Sequence, residues 1–138
     1  MGIIIKEIDA SKTWDLRHRV MWPDKPVEYV KLEEDKDGLH FGLFEDGQLR
    51  SIVSLFVFGQ EAQFRKFATD NLMQGRGYGS KLLEHLMGVV QQQNIARVWC
   101  NARLDKVPFY KKFGMVEVGE EFIKGGINYV KMQRAIFT

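Results

Sequence analysis

Near residue 75 the sequence changes period, and this change limits the fold more than any other feature. Before it, Ala62 to Thr69 alternates in size and polarity, as a strand with two unlike faces requires. After it, Leu82, Leu83, Leu86, Met87 and Val90 recur at helical spacing. Lys81, Glu84, His85 and Gln92 fall largely on the other side, so His85 is expected to be exposed. Between the two lies Gln74-Gly75-Arg76-Gly77-Tyr78-Gly79-Ser80. The expected order is a strand, a glycine-rich turn and an amphipathic helix from about Gly79 to Gln93.

The flanking segments extend this order. Ile95 to Cys100 is a short apolar run, so a strand should follow the helix and pair parallel, or nearly so, through a crossover. Upstream, Leu39 to Phe44 and Leu49 to Phe58 are joined by Glu45-Asp46-Gly47-Gln48, and Asp-Gly marks a tight hairpin. Gly59-Gln60 is a weaker turn into Ala62, which gives a three-strand antiparallel meander. Ile3 to Ile8 reads as a first strand. Asp9-Ala10-Ser11 offers caps for a helical stretch through Leu16 and Val20, ended by Pro23 and Pro26. Val27 to Gly38, with Glu33-Glu34-Asp35, reads as a solvated loop or short helix. A second helix is expected over about Asp105 to Phe113, with Asp105 as its cap, Pro108 in its first turn and Gly114 at its end. Met115 to Phe122 and Ile127 to Phe137 form the last hairpin around Lys124-Gly125-Gly126. The fold class is α/β with a mixed sheet, an antiparallel meander followed by a βαβαββ unit.

Composition removes whole classes of function. The 138 residues amount to a single domain spanning 1–138, and 45% hydrophobic with 28% charged residues is the balance of a globular chain. Twenty Lys plus Arg against eighteen Asp plus Glu leave +2, which gives no nucleic-acid or membrane footprint. One cysteine, Cys100, excludes an intrachain disulfide and reads as a small core residue. With His18, His40 and His85 scattered, no metal set is expected. Met1-Gly2-Ile3-Ile4-Ile5-Lys6 lacks the plan of a secretory signal, and the apolar run Ile52 to Phe58 is too short to span a bilayer. A cytoplasmic location is expected from these features.

The glycine turn has a chemistry of its own. Glycines at alternate positions let the backbone bend sharply and approach a ligand closely. The helix start behind them offers unpaired N–H groups and the positive end of the helix dipole, an anion site suited to a phosphate or diphosphate. Arg76 and Lys81 add positive charge. Ser80 precedes Lys81, the reverse of a Walker A loop, and Ser80 stands where a dinucleotide fingerprint needs its last glycine.

Gln74, Gly77 and Gly79, followed by Ser80-Lys81-Leu82-Leu83, resemble the acetyl-CoA-binding signature of the GNAT superfamily of N-acetyltransferases. Phe109-Tyr110-Lys111-Lys112-Phe113-Gly114-Met115 is similar to that family's late motif. The order of elements fits as well, and the resemblance covers nearly the whole chain. The ending Gly125 to Met132 is similar to a small bacterial branch, although Asn128-Tyr129 stands where that branch often has Pro-His.

The resemblance implies an acyl-CoA N-acyltransferase fold and direct transfer of an acetyl group from acetyl-CoA to a small-molecule or peptide amine, with no metal. Residues Gln74, Gly75, Arg76, Gly77, Tyr78, Gly79 and Ser80 would hold the coenzyme diphosphate, largely through backbone amides. Phe67, Ala68 and Thr69 would run beside the pantetheine arm, where a bulge frees an amide to polarise the thioester carbonyl. Thr69 stands where an aliphatic residue is more usual. Tyr110 would protonate the departing thiolate; as a plain packing residue it would lie beside Val107 and Phe113. Arg103, seven residues earlier where many members have Asn, could reach a coenzyme phosphate or pair with a carboxylate. Glu61, Glu117, Glu120, Glu121, His18 and His40 remain open as the base. The segment Leu16 to Glu34 should border the acceptor entrance. A catalytically idle acyl-CoA sensor, a nucleotide-binding protein and a homodimeric assembly are left open.

Overall fold

The computed structural model describes residues 2–136. Met1, Thr138 and Phe137, the expected end of the last strand, lie outside the described residues. Among the described residues seven strands form a mixed sheet. They are β1 (Ile3–Ile8), β2 (Leu39–Glu45), β3 (Gln48–Phe58), β4 (Glu61–Thr69), β5 (Arg97–Arg103), β6 (Val116–Lys124) and β7 (Ile127–Ala135). Their order is β1-β2-β3-β4-β5-β7-β6. The helices are α1 (Trp14–Leu16), α2 (Tyr78–Gln92) and α3 (Val107–Lys111). The chain divides into two compact units, Met1–Phe56 with Arg65–Val89, and Val57–Phe64 with Val90–Thr138.

In the first unit the meander is extended by β1, which pairs antiparallel with β2 from Ile3↔Glu45 to Ile8↔His40. The β2–β3 hairpin turns at Asp46 and Gly47, with φ of 49° and 84°, the left-handed pair that two-residue hairpins demand. The β2–β3 register slips once: Leu43 faces Ser51 while Phe44 faces Leu49, so Arg50 is the extra residue of a β-bulge. Leu16, Ile52 and Ala68 pack as a buried cluster with Ile8, Val20, Met21 and Leu49 around them. Leu82, Leu83, Leu86 and Met87 of α2 are buried, as their spacing predicts.

The segment before β2 is less regular than expected. Asp9 does cap, its carboxylate accepting from the Ser11 N–H at 3.0 Å. The structure it opens is a 3₁₀ turn, the three-residue α1 and a π turn over Arg17–Met21. Two further 3₁₀ turns, Val27–Val30 and Glu33–Asp37, span the acidic run. Glu33 and Glu34 are exposed, but Asp35 is buried against the fully buried Arg17. That burial corrects the reading of the whole run as solvated.

In the second unit β4 pairs parallel with β5 through Glu61↔Arg97, Ala62↔Val98 and Gln63↔Trp99. β7 lies antiparallel to both β5 and β6. The strand expected from Ile95 begins two residues later. Asn94 takes φ 57°, its N–H donates to the Gln91 carbonyl, and the Ile95 N–H reaches back to that of Val90. This is a Schellman closure, so Ile95 ends the helix and does not start the strand. The later helix is likewise shorter than expected. Leu104–Lys106 forms a 3₁₀ turn and α3 begins at Val107, with Pro108 in its first turn. Asp105 is not its cap: Lys106 occupies that position, and no side chain bonds there. Gly114 follows at φ 82°.

Candidate active site

The first unit carries the glycine turn. Asp70 caps a 3₁₀ turn over Asn71–Met73 by accepting from the Leu72 N–H at 3.0 Å. Gly75 and Gly77 then take φ of 83° and 80°, which side-chain-bearing residues rarely adopt. α2 starts at once: the Lys81 N–H donates to the Gly77 carbonyl at 3.1 Å. That first bond leaves the N–H groups of Tyr78, Gly79 and Ser80 without an acceptor inside the helix. Gln74, Gly75, Arg76 and Gly77 are exposed, so these donors and the dipole end are offered at the surface.

Gly79 serves another purpose than the two glycines before it. Its backbone is not left-handed, but an added Cβ would sit 3.2 Å from Phe67 Cζ and 3.6 Å from Thr69 Oγ1. The helix start therefore approaches the end of β4 so closely that any larger residue would press on the Phe67 ring. Gln74 braces the turn, its amide donating to the Thr69 carbonyl and to Asn71 Oδ1, each at 3.2 Å. Ser51 Oγ donates to the Ala68 carbonyl at 3.2 Å and lies 2.9 Å from Thr69 Oγ1. Within β4, Lys66 has φ 56°. A left-handed, non-glycine residue inside a strand is a strained irregularity of the kind that gathers at functional sites.

Tyr78, inside the glycine motif, is only 6% exposed. Its phenol donates to Glu45 Oε2. The Glu45 carboxylate beside it raises the Tyr78 pKa above the usual phenol value, while the Arg76 guanidinium works the other way. The same hydrogen bond, helped by Arg50, holds the Glu45 carboxyl below its ordinary value. Spacing hid this pair, since 33 residues separate its members.

The second unit carries Tyr110, on the buried side of α3 with Val107. Its ring lies against Phe64 at 5.7 Å and Phe109 at 5.3 Å between centroids. Burial pushes its phenol pKa well above the ordinary value, the neighbouring Cys100 adds to this, and Arg103 opposes it. The phenol is therefore protonated throughout the working pH range. Arg103 is half-buried at the end of β5. Cys100 is buried, and burial pushes its thiol up to about 12, as befits a core residue.

Of the six candidate bases, four have identified partners. The His40 ring is buried, with Nε2 2.8 Å from the Asp35 carbonyl and Nδ1 2.7 Å from Ser54 Oγ. A carbonyl only accepts, so Nε2–H donates to it, and both ring nitrogens are engaged in holding the structure. His18 Nε2 bonds the Lys25 carbonyl at 2.6 Å. Glu61 pairs with Arg97 at 2.9 Å and Glu117 with Lys111 at 3.0 Å. Glu120 and Glu121 are exposed where the β6–β7 register shifts. His85 corrects its expected exposure: it is half-buried, edge-on to Phe41 at 5.5 Å.

The family model for the acetyltransferase (GNAT) domain matches residues 17–136, most of the chain and both motifs. The chain belongs to the GNAT acetyltransferase family. It is 32% identical over 144 residues to an N-acetyltransferase of Bacillus subtilis (strain 168), YitI, described as uncharacterized, with 97% of each chain covered. The ribosomal-protein-S18-alanine N-acetyltransferase of Escherichia coli shares the fold at a TM-score of 0.81 and 20% identity, covering 99% of this chain and 96% of that one. A GNAT acetyltransferase from Elizabethkingia anophelis with acetyl-CoA bound matches at 0.77 and 13%, covering 96% and 97%. This GNAT chain is thus an acetyl-CoA-dependent N-acetyltransferase, with acetyl-CoA its co-substrate and an amine its acceptor.

Proposed function

We propose that the turn 74–80 binds the diphosphate of acetyl-CoA and that the acetyl group passes directly to an amine without a covalent enzyme intermediate. One observation carries this reading: two left-handed glycines, Gly75 and Gly77, deliver an exposed backbone into the start of α2. Three N–H donors and a dipole end then converge on one point, which suits a dianion. Arg76 adds charge from the turn itself, and Arg103 is proposed to reach a coenzyme phosphate.

The pantetheine arm is read as running beside Phe67, Ala68 and Thr69. The left-handed Lys66 supports this reading, because it marks a backbone irregularity in β4 directly before these residues. A backbone N–H donor beside the thioester would stabilise the oxyanion formed as the amine nitrogen attacks the thioester carbon. When the tetrahedral intermediate collapses, the C–S bond breaks and the sulfur leaves with the electron pair. Tyr110 would then supply the proton that turns the thiolate into a thiol. Burial keeps the phenol protonated, so the proton is present to be given. The attacking nitrogen gives its proton to solvent water, and the Tyr110 phenolate is re-protonated from solvent, so protons and charge balance. The acceptor is proposed to be a small-molecule or peptide amine, entering beside the segment Leu16 to Glu34.

Calorimetry of coenzyme A with Gly77→Glu tests the site, since a side chain and a negative charge would enter the turn. Loss of binding is expected, and wild-type affinity would refute the assignment. Thiol release from acetyl-CoA with a panel of amines tests the activity. Turnover with at least one amine class is expected; binding without turnover on every class would make the chain a sensor.

A further inference from the structure

Both feet of the glycine turn are fastened to the same hairpin. At the start of the turn, the Asp70 N–H donates to the Arg50 carbonyl at 2.7 Å, and the Asp70 carboxylate lies 3.8 Å from Arg50 Nη1. At its end, the Tyr78 phenol donates to Glu45, whose other oxygen lies 3.4 Å from Arg50 Nε. Arg50 is the extra residue of the β3 bulge, and bulges re-aim side chains. The side chains of Arg50, Glu45 and Asp70 are all at least four-fifths buried, so the ion pairs are shielded from screening. Between these two anchors the residues from Gln74 to Gly77 stay exposed.

We infer that Glu45, Arg50 and Tyr78 are positioning residues for the coenzyme, holding the turn in its ligand-ready shape from behind. This rests on the assignment of the turn to the coenzyme diphosphate. None of the three side chains has to touch the ligand. Two left-handed glycines are flexible when unbraced, and a turn that must be ordered on binding loses affinity to that ordering. Since the brace acts on the turn alone, weakening it should change coenzyme affinity and leave chemistry at saturation alone.

The test compares Tyr78→Phe, Glu45→Gln, the double variant and Gly77→Glu by coenzyme A calorimetry and by steady-state kinetics with acetyl-CoA. Tyr78→Phe and Glu45→Gln should each raise Kd and the KM for acetyl-CoA about tenfold, with kcat within about twofold of wild type. The double variant should be no worse than the poorer single one, because both act on the same Tyr78–Glu45 bond. Wild-type Kd in Tyr78→Phe, alongside lost binding in Gly77→Glu, would overturn the brace while leaving the turn assignment standing. A fall in kcat at unchanged KM would overturn it too. Wild-type binding by Gly77→Glu would remove the turn assignment and this inference together.

Discussion

Arg17 and Asp35 form a buried, two-pronged ion pair, Nη1 to Oδ2 at 2.8 Å and Nη2 to Oδ1 at 3.0 Å. Arg17 is fully buried, and its guanidinium also donates to the Val30 carbonyl and to Ser54 Oγ, both at 2.9 Å. Asp35 in turn accepts from the Leu32 N–H and from the Trp14 indole. Two charges taken from water are tolerable only when so fully bonded. The pair pins the irregular segment 14–37 to β3 through Ser54 and to β2 through His40.

Removing one partner strands the other. Arg17→Met should cost about 3–5 kcal/mol in urea unfolding, because the Asp35 carboxylate would stay buried without its counter-charge. A loss under about 1 kcal/mol would show the pair to be solvated.

The same pair sets an acid limit. Burial works to raise the Asp35 pKa, but the hydrogen bonds from Arg17 and the Leu32 N–H outweigh it, so the net value lies below 3.8. A lowered folded pKa contributes stability above the unfolded value, and that contribution is lost as pH falls from 3.8 through the folded pKa. Unfolding free energy followed downward from pH 6 should decline across that window. In Asp35→Asn this part of the decline should vanish.

Two glycines of α2 should respond in opposite directions to alanine. At Gly79 the new methyl meets Phe67 at 3.2 Å, so Gly79→Ala should cost about 1–2 kcal/mol and weaken coenzyme binding. At Gly88 nothing lies within 4 Å, so Gly88→Ala should stabilise by about 0.5–1 kcal/mol. Thermal melts of the two variants check both signs.

Cys100 should behave as core. With its thiol pushed up to about 12, the native protein should react with a disulfide reagent at pH 8 far more slowly than the denatured chain. The raised value also stabilises the fold below pH 9.0, an advantage lost as pH rises towards 12. Fast, stoichiometric labelling of the native thiol would contradict this placement.

Tyr110→Phe separates chemistry from packing. The ring contacts with Phe64 and Phe109 survive the change, so coenzyme affinity should stay near wild type. If the phenol donates the proton, kcat should fall about 100-fold. Unchanged kcat would remove it from the mechanism.

What could be read in the sequence was local. The Asp46-Gly47 hairpin, the period of α2 and the glycine turn depend on neighbours a few residues apart, and each appears where expected. Arg17 and Asp35 are 18 residues apart, and Asp35 sits in an acidic run that looks solvated, so nothing nearby in sequence marks it for burial. Ile95 looks like strand because it is apolar, yet its N–H is used to close a helix. His85 falls on the polar arc of α2, but Phe41 comes from a distant strand to cover it. Tyr78 hid inside a motif defined by its glycines, whereas the phenol's partner lies in another hairpin.

An amide-resolved NMR titration with coenzyme A tests the central assignment most directly. The largest shifts should fall on the N–H groups of Gly75, Gly77, Gly79 and Ser80, with those of Gly47 and Gly126 unmoved. Shifts centred on other elements, with the four turn amides unchanged at saturation, would contradict it.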